Sequence, residues 1–324
     1  MKKLTKSAAL AATVLALAAC GGGSPSGSDG GGESTGAGDL TTVTVGVIPI
    51  VDTAPIWLGE AEGIFAEEGL KLDIQTATGG AAIVPGVQSG SYDFAFSNLI
   101  SLMVANDKGL NMKIVANGAT TTGTQEDFGA VVVGADSDIA SPKDLAGKKV
   151  SVNNLSNIGD TTIKTVVEED GGDPDGVEFV EVGFPDAPAA LENGVVDAAW
   201  ILDPFLSQAV GDGAKVISAN FTDFDPNLDI AAYFTSQTTF DEDPELTEKF
   251  QRAMNKSLEF AQENPDKVRD IVGTYTKIDE ATRAEIVLPR YQVEMSREAA
   301  QKLGDAAVKY GTLEEAPDLD ALLP

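Results

Sequence analysis

Between residues 70 and 98 the spacing of apolar positions changes twice. Leu70, Leu72 and Ile74 alternate with polar neighbours, the two-residue period of a half-buried strand. Thr78, Gly79 and Gly80 break that run. A short helix is predicted next, with Pro85 confined to its first turn, because deeper in a helix proline lacks a needed N–H and crowds the preceding turn. Gly90 ends the helix, and 92–96 (YDFAF) predicts a second strand running into Ser97 and Asn98.

The same succession returns about a hundred residues later. Residues 177–182 (VEFVEV) predict a strand, 183–188 a loop, 189–192 a helix stopped by Asn193-Gly194, and 196–200 a strand that leads into Asp203-Pro204. Gly90-x-x-Asp93 and Gly194-x-x-Asp197 precede the closing strand of each copy, and the segments 63–74 and 166–180 align upstream as helix, glycine turn and strand. A βαβ unit used twice predicts two similar α/β lobes. Open parallel sheets bind ligands at the carboxyl ends of their strands, so a cleft between the lobes is the expected site.

The remaining pattern fills in this plan. A first strand is predicted at 43–48 and a helix from Pro55, with Ile56, Trp57, Ala61, Ile64 and Phe65 inward. A helix at 101–107 and a strand at 112–116 follow. Residues 128–134 (FGAVVVG) and 230–235 (IAAYFT) are apolar without alternation and predict buried strands that cross between lobes. The second lobe adds a capped turn at Ser141-Pro142, strands at 149–152 and 215–218, a polar loop at 153–160, and helices at 161–169 and from Pro204. Helices are predicted at 244–264, 265–275, 279–288 and 296–310, with Leu246, Phe250, Met254 and Leu258 on one core face.

The first twenty residues follow a different logic. Lys2, Lys3 and Lys6 precede an apolar stretch at 8–17 that is too short to span a bilayer. Leu17-Ala18-Ala19-Cys20 reads as a bacterial lipobox, which implies a signal peptide at 1–20 and diacylation of Cys20. Two acyl chains meet the requirement for stable anchoring. Residues 21–39 are glycine and serine with a few acids, a flexible tether with an r.m.s. reach of roughly 25 Å. Residues 40–128 with 235–324 are expected as lobe one, and 129–234 as lobe two.

Charge and composition narrow the partners. The chain has 51 acids against 22 bases, three of which lie before Cys20. Such a surface repels nucleic acid and anionic headgroups, so the expected membrane contact is the lipid anchor alone. The only cysteine is the lipobox one, so no disulfide can form within the chain. There is no histidine, which removes Ser–His and Cys–His catalysis and His-ligated metals. Asp223, Asp225, Asn227 and Asp229 alternate as in a calcium loop, but Leu228 and Phe234 stand where glycine and glutamate belong, so no metal or other cofactor is expected.

Five stretches in this order (APIWLGEAEGIFAEEGLKLDI, GG, SGSYDFAFSN, IASPKDLAGKKVSV and ALENGVVDAAWILDPF) resemble the substrate-binding lipoproteins of ABC importers of the nitrate/sulfonate/taurine and thiamine-precursor type. The resemblance runs from about residue 41 to the end. It implies a type II periplasmic-binding-protein fold, with two Rossmann-like lobes joined by two crossover strands. It also implies a monomer that captures a small solute by lobe closure at the outer face of the cell membrane and delivers it to a permease with its ATPase. A eukaryotic branch of the thiamine-precursor relatives makes the pyrimidine from its own histidine, which this chain lacks.

The strand ends facing the expected cleft contain no Lys, Arg or His. The candidate ligand residues there are Asp52, Thr53, Trp57, Thr78, Gly79, Gly80, Ser97 and Asn98 in lobe one, and Asn154, Ser156, Asn157, Asp160, Asp186, Trp200 and Asp203 in lobe two. Asp160 and Asp203 are equally candidates for helix caps. Gly79-Gly80-Ala81 and 156–162 are helix starts able to hold an anion, such as a sulfonate, taurine, nitrate or bicarbonate. Four acids among them favour instead a neutral or cationic solute, a flat nitrogen heterocycle or an organic amine. A ligand-sensing module for a partner receptor is a further alternative.

Overall fold

The computed structural model describes residues 40–324; the signal segment, Cys20 and the tether lie outside the described residues. Ten strands form two five-stranded sheets. They are β1 (Thr41–Val47), β2 (Leu70–Thr76), β3 (Phe94–Asn98), β4 (Met112–Thr120), β5 (Gly129–Val133), β6 (Lys149–Val152), β7 (Glu178–Glu181), β8 (Ala198–Leu202), β9 (Lys215–Ser218) and β10 (Asp229–Ser236). The first sheet has the order β2-β1-β3-β10-β4 and the second β7-β6-β8-β5-β9. In sequence terms these are one pattern used twice, as the internal repeat predicts. Across each sheet, three parallel strands stand side by side and a further strand is inserted antiparallel next to the last of them, β10 beside β3 and β5 beside β8.

The inserted strand in each sheet is the one that has just arrived from the other lobe. β5 follows β4 and pairs with β8, Gly129 opposite Leu202. β10 follows β9 and pairs with β3, Ala231 opposite Asn98. Both strands are buried along their whole length, which accounts for their unbroken apolar runs. β10 therefore belongs to the first sheet, and the expected lobe boundary at 234/235 is corrected to lie before Asp229.

Helices cover both sheets. They are α1 (Ala54–Ala61), α2 (Ile64–Glu67), α3 (Gly80–Gln88), α4 (Leu99–Asp107), α5 (Ile158–Glu169), α6 (Ala187–Glu192), α7 (Phe205–Gly211) and α8 (Asn220–Phe224). The C-terminal part supplies α9 (Gln237–Glu242), α10 (Pro244–Glu263), α11 (Pro265–Tyr275), α12 (Glu280–Ala284), α13 (Arg297–Lys309) and α14 (Leu319–Leu322). In the first lobe Phe250 of α10 stacks on Phe94 of β3, centroids 4.0 Å apart, and meets Phe65 at 5.8 Å. In the second lobe Trp200 of β8 makes edge contacts with Phe184 and Phe221 at 5.2 and 5.6 Å.

Two helix expectations are corrected. α3 starts at Gly80, so Pro85 sits in its interior; its ring is on the exposed side, and the first turn is tightened by Ala82 N–H to the Gly79 carbonyl. The helix expected over 279–288 ends at Ala284, and 286–291 form an extended strap. The strap is held by other elements: Val287 N–H donates to Asp203, Arg290 pairs with Thr120, and Tyr291 N–H donates to Gln262. Such long-range bonds outbid the local helical ones and have no signature in periodicity.

Candidate functional site

The carboxyl ends of β1 and β3 face those of β6 and β8 across a cleft, and both inserted strands enter at this same edge. The lobes are closed on it. A cavity of about 20 Å³, room for about one water, remains between Ile48, Ile50, Asp52, Phe96, Asn98, Ile230 and Ala231 on one side and Asn153, Ile158, Phe184, Trp200 and Leu202 on the other. Its walls are aliphatic and aromatic, its polar residues are two asparagines and one aspartate beside the indole of Trp200, and no basic side chain is among the lining residues.

Asp52 is the unusual member. It sits in the single turn Val51–Thr53 between β1 and α1, is 1% exposed, and its Oδ1 has no hydrogen-bond partner. Burial drives its carboxyl up to about 7, only partly offset by its own backbone N–H, and the nearby acids Asp127 and Asp203 push the same way. Around it Tyr275 and Tyr291 donate their hydroxyls to the carbonyls of Ile50 and Val51, which fixes the turn.

Other polar atoms stand unpartnered at the lobe boundary. The Oγ of Ser97, the Oδ1 of Asn154 and the Nε1 of Trp200 are buried and unbonded. Gly79 lies against Asn154 of the opposite lobe so closely that a Cβ there would meet its Oδ1 at 2.6 Å, and a Cβ on Gly80 would meet the Ser97 Oγ at 2.1 Å. Direct bonds also cross the cleft: Asn157 Nδ2 donates to Ser101 Oγ at 3.0 Å, and Val51 N–H to the Asp203 carbonyl at 3.0 Å.

The candidate residues thus sort into groups. Asp52, Asn98 and Trp200 line the cavity, and Gly79, Gly80, Ser97, Asn154 and Asn157 stand at the lobe boundary beside it. Asn98 also accepts the Ser101 N–H as the cap of α4. Thr53 turns away, its hydroxyl donating to Ile48 and Ile50 carbonyls. Trp57 stacks on Tyr275 at 4.9 Å, outside the cavity lining. Asp160 and Asn157 form the capping box of α5: Asp160 accepts the N–H groups of Ser156 and Asn157 at 2.6 Å each. Burial raises Asp160 despite those bonds. Ser156 is exposed with a left-handed backbone, and Thr78 and Asp186 are exposed. Asp203 accepts Ser207 and Val287 N–H, while burial, outweighing those donors, lifts it to about 7.

The candidate list omitted Phe184, Phe96, Asn153 and Ile230. Phe96 shares a strand face with Asn98, and Asn153 directly follows β6, so the even spacing at strand ends carried a signal. Ile230 and Ala231 carried none, because only the antiparallel pairing of β10 brings the start of that strand to the cleft. Among the described residues, no three potential metal-ligating side chains cluster together. No described helix is long and apolar enough to cross a membrane.

Comparison with known proteins places this geometry in context. The family model described as NMT1/THI5 like matches residues 50–268. A formylaminopyrimidine-binding protein of Halalkalibacterium halodurans is 27% identical over 231 residues, 70% of this chain and 67% of that protein. A putative aliphatic sulfonates-binding protein of Bacillus subtilis is 24% identical over 278 residues, 83% of this chain and 78% of its own. The alkanesulfonate-binding protein SsuA from Xanthomonas axonopodis pv. citri, solved bound to MOPS, shares the fold with a TM-score of 0.75. It is 16% identical, and the match covers 89% of this chain and 99% of that one.

Proposed function

The chain belongs to the NMT1/THI5-like family, and from that premise we propose that it is an extracytoplasmic solute-binding receptor, anchored through Cys20, that hands a small aminated nitrogen heterocycle or organic amine to an ABC permease and makes or breaks no bond itself. The observation that carries the ligand class is Asp52. A buried carboxylate with a free oxygen, aromatic walls and no basic neighbour in the cavity lining is matched by a flat ring bearing N–H donors or positive charge. The unbonded Asn154 Oδ1 would accept a second donor, and the Trp200 indole N–H would supply one bond to a ring acceptor. Formylaminopyrimidine, for which the H. halodurans relative is named, has this character.

An oxyanion is the second reading, because Gly79 at the N-cap of α3 leaves that helix start without a side-chain cap. Against it, the starts of α4 and α5 are already occupied by Asn98 and by the Asn157–Asp160 box. A thermal-shift panel on the full chain bearing C20S separates them. At ~100 times its Kd a ligand stabilises by roughly 2.7 kcal/mol. 4-Aminopyrimidine and its alkylated relatives are expected to shift the melt, and alkanesulfonates, taurine and nitrate are not. A shift by the anions alone would overturn the assignment.

A further inference from the structure

Asp52 poses a problem that the closed cleft does not solve. It is 1% exposed and faces a cavity of about 20 Å³, too small for an organic solute. The titratable groups facing it are the carboxylates of Asp127 and Asp203 and the phenols of Tyr233 on β10, Tyr275 at the end of α11 and Tyr291 in the strap. None of these brings a positive charge. A carboxylate ionised here would have no counter-ion, no donor for its Oδ1 and almost no water. Asp203 is buried as deeply, yet its two oxygens accept N–H groups of Ser207 and Val287. Of the two, Asp52 is the one with an oxygen that no donor meets.

We infer that the proton on Asp52 controls lobe closure: neutral, Asp52 lets the lobes shut on each other; ionised, it holds the cleft open until a cationic or N–H-rich ligand takes the proton's place. The last clause rests on the ligand class proposed above. The proton leaves to solvent, and the ligand's donor group then faces the carboxylate: a cationic ligand neutralises its charge, and a neutral N–H-rich one supplies the hydrogen bond that Oδ1 lacks. The contacts that hold the cleft shut, Asn157 to Ser101, Val51 to Asp203 and Asn154 against Gly79, join the same two lobes whose residues line the cavity with Asp52. Burial and the neighbouring acids place its titration at about 7. Closure would then respond within ordinary pH.

Small-angle scattering on the full C20S chain with no added solute tests this. The radius of gyration is expected to be smaller at pH 5 than at pH 8.5. With D52N the compact value should hold at both, and with D203N the pH response should remain. If D52N does not fold, D52A must give the same pH-independent radius. A wild-type radius that ignores pH, or a response unchanged in the Asp52 variants, overturns the inference. Adding 4-aminopyrimidine at pH 8.5 should restore the compact radius. If it does not while the pH response is intact, the ligand class fails and the proton control stands.

Discussion

At the residue scale Asp52 links stability to pH in a definite direction. Its folded carboxyl titrates at about 7 and its unfolded one near 3.8, so the folded state holds a proton that the unfolded state has lost between those values. The stability that Asp52 contributes is therefore full below about pH 4, declines as pH rises, and is lost above about 7. Three pH units correspond to at most ~4 kcal/mol, an upper limit because opening of the cleft relieves the strain. D52N should match wild type in thermal melts at pH 4, exceed it at pH 8, and bind an amine ligand at least tenfold more weakly. Equal melting at pH 8 would mean the carboxylate is not held in a dry site. Position at a strand end was enough to nominate Asp52 from the sequence. It also nominated Trp57, which stacks on Tyr275, and Asp186, which is exposed. Strand-end position does not say which way a side chain turns, so it could not separate these from Trp200.

At the element scale the start of α3 separates folding from closure. Gly80 packs against Ser97 of its own lobe, whereas Gly79 packs against Asn154 of the other. G80A forces a methyl against a buried strand and should cost roughly 1–3 kcal/mol in chemical denaturation. G79A should cost less than G80A yet weaken ligand binding at least tenfold, because the atoms its methyl would meet first belong to Asn154 of the opposing lobe. N154A by itself costs the ligand its bond to Asn154, and combined with G79A it should lose less than the sum of the two single losses, a coupling that a double-mutant cycle reads directly. The glycine pair was conspicuous in the sequence as a break between strand and helix, but its two different partners were not. Elements with strong periodicity, α10 and α11 among them, fall within a residue or two of their expected limits. The strap at 286–291 does not, since its bonds go to residues far away in the chain.

For the whole molecule, the repeat made the two-lobe plan readable, while the entry of each crossing strand into the opposite sheet was hidden in pairing. The two connections meet at Asp127, whose carboxylate takes the hydroxyls of Thr121 and Thr222, one from each connection, and the N–H of Thr122 and Phe128. D127A should leave those donors unmet and lower stability by about 1–3 kcal/mol. The overall charge acts on a longer range. With 51 acids and 22 bases the folded chain repels itself, and bringing two acidic lobes together adds to that repulsion. Its ion pairs, such as Lys149–Glu178 and Arg297–Asp320, are largely exposed and contribute little. Salt weakens both effects, but the unpaired acids far outnumber the pairs, so screening of repulsion wins. Melting temperature at pH 8 is therefore expected to rise between 20 and 500 mM NaCl, with an accompanying decrease in the radius of gyration. A fall in melting temperature would show that the exposed ion pairs, and not the surplus of acids, dominate the electrostatics of this protein.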